Sequence, residues 1–276
     1  MSKSTFYLLD SSAIISISHI NSGATNLTDD MKDRQQKLLS IDKKGNFISG
    51  MLAVMEGQAS QEETPEQKKA TVTKIGNTLD TFFKNAETDA NALQATSENL
   101  SQLSLGTHER SYTDAAKFRD TVFFDLVQLP KKKDIAAFED KLIRIAREND
   151  LQPSHPIVLC AISALYGKDE TRNVLKVSKE KDKGNSYNAL SDVYAVSRIP
   201  MLSNLIYSEF PNYDIEFITF DKGLEFFYES LVPTSVIEIN RRDRSDVAIT
   251  VSVSRDLFPG ITDKHFNVLA KKIHGG

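Results

Sequence analysis

The chain has 276 residues, of which 40% are hydrophobic and 26% are charged. This composition is typical of a globular protein and excludes wholesale disorder, and the length suits one large domain or one domain with a sizeable insertion. The net charge is −4, from 34 Lys and Arg residues against 38 Asp and Glu residues. That balance argues against a protein that coats nucleic acid through bulk positive charge.

The single cysteine, Cys160, excludes an internal disulfide framework and a thiolate zinc site, and it suits a reducing compartment. No apolar run approaches the roughly 20 residues that cross a bilayer. The apolar run at residues 6–9 is too short for a signal peptide. We therefore expect a cytoplasmic protein that does not associate with membranes.

The N-terminal part begins with a predicted strand at residues 6–9, which is continuously apolar and ends at Asp10. Such a run is typical of a strand buried on both faces of a parallel sheet. Ser11 and Ser12 follow, and because serine is a good helix N-cap, a helix is predicted to begin there. A second short strand is predicted at residues 46–49, with a helix over residues 50–60 behind it.

The middle of the chain changes character, because residues 61–128 are rich in polar helix formers with apolar residues at helical spacing. A strongly amphipathic helix is predicted over residues 134–149. We interpret residues 61–154 as a helical insertion.

The C-terminal part again alternates helices and strands, which favours an α/β sheet. Helices are predicted at residues 156–166 and 185–210, the second bent or broken at Pro200, and strands at residues 215–220 and 235–239. The predicted main domain comprises residues 1–60 and 155–240. A strand and a basic helix within residues 241–276 are predicted to pack on it.

Four acidic residues stand out because their neighbours are apolar. Asp10 and Asp221 follow predicted strands, and Glu56 and Asp192 share helix faces with apolar residues. A carboxylate in such surroundings costs several kcal/mol of desolvation unless it is paired, protonated or bound to a metal. Taken one at a time, the four also suit ordinary roles as turn, surface, ion-paired and N-cap residues.

The order and flanks of these acids resemble the PIN domain family of metal-dependent nucleases. The resemblance lies in residues 8–15 (LLDSSAII), 47–49 leading to Glu56, 188–197 around Asp192, and 217–221 (FITFD). It implies a compact three-layer α/β/α sandwich with a mostly parallel sheet. It also implies cleavage of RNA with Mg²⁺ or Mn²⁺. The chain departs from a small toxin of this family by its length, because residues 61–155 have no counterpart there.

The resemblance implies a role for each matching residue. Asp10, Glu56, Asp192 and Asp221 would be the catalytic, metal-binding acids. Ser12, Asn188 and Thr219 would orient them.

This donor set suits the chemistry, because Mg²⁺ and Mn²⁺ prefer carboxylate and water oxygens. Metal ions polarise the phosphate, lower the pKa of bound water and stabilise the leaving oxygen. The family implies products with 5′-phosphate and 3′-hydroxyl ends.

Two groups of basic residues are candidates for binding the RNA substrate. The first group precedes the helix of Asp192 and consists of Arg172, Lys176, Lys179, Lys181 and Lys183. The second group lies in the C-terminal part and consists of Arg241, Arg242, Arg244, Lys271 and Lys272. Both could line a path to the metals, and both also suit solvated surface segments.

The function predicted from sequence is a divalent-metal-dependent endoribonuclease. The family's common use as toxins suggests a toxin or phage-defence effector. A catalytically silent scaffold that binds a protein partner or inhibitor through the helical insertion is the alternative, and a DNA 5′-nuclease of related fold is a third reading. The sequence leaves open the number of metals and whether the chain forms homo-oligomers.

Overall fold

A computed structural model describes residues 4–23, 27–57, 63–101, 112–177, 186–240 and 245–274. The chain divides into two compact units. The first unit comprises Met1–Gly106 and Leu202–Asp221, and the second comprises Thr107–Met201 and Lys222–Gly276. The predicted insertion, residues 61–154, is therefore divided between the two units.

The described elements follow one another along the chain as six strands and twelve α-helices. In order they are β1 Ser4–Leu9, α1 Ser11–Asn21, α2 Asp29–Ile41, β2 Phe47–Ser49, α3 Met51–Glu56, α4 Pro65–Phe82, β3 Glu87–Thr88, α5 Ala90–Ser101, α6 Tyr112–Val127, α7 Ile135–Glu148, α8 Pro156–Leu165, α9 Asp169–Val174, α10 Ser186–Glu209, β4 Tyr213–Ile218, α11 Lys222–Glu229, β5 Leu231–Asn240, β6 Ser245–Val253 and α12 Asp263–His274.

The first unit is built on a four-stranded sheet with the order β3-β2-β1-β4. Every pair in it is parallel, and Phe6 of β1 lies beside Phe47 of β2 and Ile215 of β4. The central strand β1 has its last four residues buried, as expected for a strand covered on both faces. The prediction of an α/β fold with a parallel sheet is confirmed.

Five helices pack on one face of this sheet. Tyr7 and Leu9 of β1 enter a core with apolar side chains from α1 to α5. The core includes Val72, Ile75 and Leu79, which recur at helical spacing on α4. Helices α4 and α5 were predicted within the insertion, but their apolar faces complete the core of the sheet unit.

Close packing around α4 depends on a glycine at the start of α3. A Cβ atom built on Gly50 would lie only 2.6 Å from the Cγ2 atom of Ile75 in α4. Real structures do not tolerate such a distance, so a side chain at position 50 would push the helices apart.

Aromatic rings cover the opposite face of the sheet. Phe6 and Phe47 are stacked at 4.7 Å between ring centroids, and Phe210 lies 6.2 Å from Phe6. Tyr213 at the start of β4 meets Phe210 edge to face at 6.0 Å. Such offset and edge contacts contribute beyond simple burial of area.

A carboxylate joins the end of α2 to the segment that leads into β3. Asp42 accepts main-chain N–H groups from Lys84, Asn85 and Ala86, the last two at 2.8 Å. Burial opposes ionisation of Asp42, but these hydrogen bonds outweigh it and lower the carboxyl pKa. The carboxylate therefore stabilises this connection in its charged form.

The second unit is mainly helical. Residues 157–165 of α8 are all buried, including Cys160, and α7 presents Leu142, Ile143 and Ala146 to the interior. Strands β5 and β6 form an antiparallel pair separate from the parallel sheet. Helix α10 contributes to both units and continues through Pro200, so the predicted break there is not seen.

Among the described residues, no helix has both the length and the apolar character that crossing a membrane requires.

Candidate functional site

The strand order of the first unit marks one place where a ligand is expected. Strands β2 and β3 lie to one side of β1, and β4 lies to the other side. In open parallel sheets, ligands bind beyond the carboxyl ends of the strands at the point where the order reverses. That point lies between β1 and β4. Asp10 follows β1 there, and Thr219, Phe220 and Asp221 follow β4.

Asp10 is the N-cap of α1. Its Oδ1 atom accepts the main-chain N–H of Ala13 at 2.9 Å, and its backbone is extended. The residue is only 2% exposed. Its carboxylate therefore lies against a helix N-terminus, where the free N–H groups and the helix dipole favour negative charge.

Two hydroxyl groups join Asp10 to the exit of β4. Thr219 Oγ1 donates to Asp10 Oδ2 at 2.6 Å and accepts the main-chain N–H of Asp221 at 3.0 Å. Ser12 Oγ donates to Asp10 Oδ1 at 2.8 Å and accepts the main-chain N–H of Phe220 at 2.8 Å. Each hydroxyl is thus held between the carboxylate and a main-chain donor, which fixes the orientation of the Asp10 side chain.

Glu56 lies at the same edge of the sheet. It is the last residue of α3, it is 5% exposed, and its Oε2 atom accepts the main-chain N–H of Ser11 at 2.8 Å. Residues 10 and 11 are adjacent, so both carboxylates contact the first turn of α1. The structure therefore brings together five of the predicted site residues: Asp10, Ser12, Glu56, Thr219 and Asp221.

The surroundings of Asp10 disfavour ionisation of its carboxyl group. Burial, with a smaller contribution from the nearby charge of Asp221, raises the pKa of Asp10 to about 6. Hydrogen bonds from Thr219, Ala13 and Ser12 act in the opposite direction but do not cancel the effect of burial. A cation at this edge would favour the ionised form of Asp10.

The other two predicted acidic-site residues belong to the second unit. Asp192 lies on α10, where its Oδ2 atom forms an ion pair with Lys176 Nζ at 2.6 Å. Asn188 lies one turn earlier on the same helix. The inclusion of Asp192 and Asn188 in one site with Asp10 stays a prediction.

Three of the predicted substrate-binding cations of the second unit, Arg172, Lys176 and Lys272, have local partners. Arg172 Nη1 donates to the main-chain oxygen of Leu126 at 2.6 Å, near the end of α6. Lys272 Nζ pairs with Asp140 at 2.7 Å. Lys179, Lys181, Lys183, Arg241, Arg242 and Arg244 lie outside the described residues. Contact of these groups with RNA stays a prediction.

The sequence analysis did not single out Asp89, a further buried acid at the carboxyl edge. It follows β3, and its carboxylate accepts Ser49 Oγ at 2.6 Å and the main-chain N–H of Gly50 at 3.1 Å. Burial raises its pKa to about 6, against these hydrogen bonds. Asp89 anchors the start of α3. The one local signal, an acid directly before a helix, is shared by many surface residues.

Carboxylate oxygens are suitable donors for the predicted Mg²⁺ or Mn²⁺. Within the part of the chain that the structure describes, no group of three or more His, Cys, Asp or Glu side chains is arranged to hold a metal ion. Mg²⁺, however, is commonly bound by one or two carboxylates and completes its shell with water and substrate phosphate. The pair Asp10 and Asp221 fits that mode, because a cation between them would relieve the repulsion that raises the Asp10 pKa.

Comparison of the chain with models of known protein families, with curated protein sequences and with solved structures gave no match.

Proposed function

We propose that the first unit is a PIN-like domain whose carboxyl edge binds Mg²⁺ or Mn²⁺ and hydrolyses phosphodiester bonds in RNA. The observation that carries this proposal is the buried Asp10 carboxylate, held by Ser12 and Thr219 at the order-reversal point of a parallel sheet beside Asp221. Pairs of carboxylates that disfavour each other's charge are common at functional sites. The central strand β1 has its last four residues buried, which is compatible with the PIN-like three-layer arrangement.

Asp10 and Asp221 would hold the metal ion. When bound, the ion supplies a water of lowered pKa and neutralises charge that develops on the phosphate. Ser12 and Thr219 keep the Asp10 oxygens in one orientation, so that little reorganisation is needed when ligands bind. Glu56 fixes the first turn of α1 through Ser11 and adds negative charge at the same edge.

The net reaction adds one water across a P–O bond. The hydroxyl joins phosphorus, the bond to the 3′ oxygen breaks, and the released proton goes to that oxygen. The products carry a 5′-phosphate and a 3′-hydroxyl. A toxin or phage-defence role would follow from cleavage of cellular RNA.

The proposal is tested by cleavage of single-stranded RNA with Mn²⁺ titration. Asp10→Asn and Asp221→Asn should each abolish cleavage while the circular dichroism spectrum stays that of the wild type. Asp89→Asn is the matched control, because it removes a carboxylate whose pKa is also raised to about 6 and which anchors α3. It should keep metal-dependent cleavage.

Binding of the metal is tested separately through thermal stability. A ligand that binds only the folded protein raises its melting temperature. Mn²⁺ should therefore raise the melting temperature of the wild type and of Asp89→Asn, but not that of Asp10→Asn. If the folded wild type shows neither cleavage nor metal-induced stabilisation, the nuclease proposal is refuted and the silent scaffold becomes the better reading.

A further inference from the structure

Two positively charged side chains of helix α2, Arg34 and Lys37, lie near the ring of Phe220. The guanidinium carbon of Arg34 lies 5.2 Å from the ring centroid of Phe220, and Lys37 Nζ lies 5.8 Å from it. Phe220 lies between Thr219 and Asp221 in the chain, and its main-chain N–H donates to Ser12 Oγ. The two cations therefore flank the ring of the residue that joins Thr219 to Asp221.

The Arg34 side chain is held in place from several directions. Its Nη2 atom pairs with Asp30 Oδ2 at 2.7 Å, and its Nη1 atom donates to Ser16 Oγ at 3.3 Å. Ser16 Oγ in turn donates to the main-chain oxygen of Ser12 at 2.9 Å. The side chain nevertheless stays 27% exposed. A guanidinium that is ordered before its ligand arrives loses less entropy on binding.

Positive charge beside Phe220 would reduce the electrostatic repulsion between the RNA backbone and the acidic edge of the sheet. The chain has a net charge of −4, and the carboxyl edge itself carries Asp10, Glu56 and Asp221. An approaching RNA backbone is repelled by these carboxylates. Cations beside Phe220 offset that repulsion locally, without making the whole protein basic.

We infer that Arg34 and Lys37 bind phosphate groups of the RNA strand next to the bond that is cleaved. This inference rests on the proposed function, and it assigns substrate binding to α2 rather than to the basic segments singled out from the sequence. Arg34 suits a phosphate because its guanidinium presents several donors in a planar fork. Lys37 is exposed and supplies a second, more adaptable charge.

Lys32 provides a matched control on the same helix. It is 62% exposed and pairs with Asp29 one turn away. Replacing Lys32, Arg34 or Lys37 by Gln removes the same charge from α2, so any difference between the variants reflects position. Lys37→Gln changes an exposed residue, which makes it informative even if Arg34→Gln disturbs packing.

The experiment measures the affinity of a short single-stranded RNA across a salt series, in the non-cleaving Asp10→Asn background. Each lost phosphate contact should reduce the slope of log K against log salt by about 0.7 for single strands. For the Arg34→Gln/Lys37→Gln double variant, the magnitude of the slope of log K against log salt should therefore be smaller by about 1.4. Lys32→Gln should keep the parental slope. With Asp10 present, Lys37→Gln should raise KM and leave kcat unchanged.

The outcomes separate this inference from the proposed function. If the wild type cleaves RNA but Lys37→Gln and the double variant match Lys32→Gln, the inference is overturned and the proposed function stands. If the protein binds RNA with the expected loss of slope but never cleaves it, the proposed function fails together with the placement of these contacts beside a cleaved bond, and only phosphate binding by Arg34 and Lys37 stands. Absence of any RNA binding overturns both.

Discussion

Replacing Asp10 by Asn tests whether its carboxylate is kept ionised at a cost to stability. The folded-state pKa of about 6 lies above 3.8, the ordinary value of an aspartate side chain. The difference is 6 − 3.8 = 2.2 pKa units. At 1.36 kcal/mol per unit, the ionised side chain costs about 3 kcal/mol of unfolding free energy at pH 7.

The sign follows from proton binding. Between pH 3.8 and about 6 the folded state binds more protons at Asp10 than the unfolded state does. The contribution of Asp10 to stability therefore falls as pH rises through this window, and it stays low above it. Asn cannot ionise, so its stability does not follow this fall. Loss of one acceptor for Thr219 Oγ1 costs about 1 kcal/mol at any pH.

The expected net result is a gain of about 2 kcal/mol for Asp10→Asn at pH 7 and a loss of about 1 kcal/mol at pH 4. Urea unfolding across this pH range, followed by circular dichroism without divalent metal, measures the change in midpoint. Asp80→Asn is a suitable control because Asp80 is exposed, and it should show little pH-dependent difference. A difference between Asp10→Asn and wild type that does not grow with pH would refute a buried, raised-pKa carboxylate.

Three further predictions concern packing and burial elsewhere. Asp42→Asn should cost about 1–2 kcal/mol at neutral pH, because it weakens a carboxylate that accepts several main-chain N–H groups. Because the folded pKa of Asp42 is lowered, this cost should shrink as pH falls through the folded pKa, as urea midpoints at low and neutral pH would reveal. Gly50→Ala should lower stability by about 1–3 kcal/mol through its clash with Ile75, and a melting temperature equal to that of the wild type would contradict the close packing. Cys160 is fully buried and burial raises its thiol pKa, so a thiol reagent should label it only in denaturant, and prompt labelling of the native protein would argue against that burial.

Local sequence patterns predicted those site residues that directly follow a single strand. The strand before Asp10 and the helix after it could both be predicted from the sequence. A strand buried on both faces is continuously apolar, and a helix start is marked by an N-cap residue, so both patterns are local. Asp221 was predicted for the same reason, since it follows the predicted strand at residues 215–220, whereas Thr219 was implied only by the family resemblance. The chain pattern alone does not show that these two strands are neighbours.

Other features depend on contacts that the local sequence does not encode. β3 consists of only Glu87 and Thr88, two polar residues that become a strand because they pair with β2. Asp89 was missed for the same reason, since nothing nearby marks a sheet edge. The amphipathic pattern of α4 shows that one face is buried but not against what, so α4 was assigned to an insertion rather than to the core.

The pairing of β1 with β4 has a consequence for how the protein is synthesised. Thr219 lies 209 residues after Asp10, although their side chains are hydrogen bonded. At roughly 5–20 residues per second, translation separates the two strands by on the order of ten to forty seconds. During that interval a nascent chain already exposes Asp10, Ser12 and Glu56 but has no neighbour for the open side of β1. The pocket can close only after β4 has been synthesised, so for most of translation the growing polypeptide carries an incomplete site.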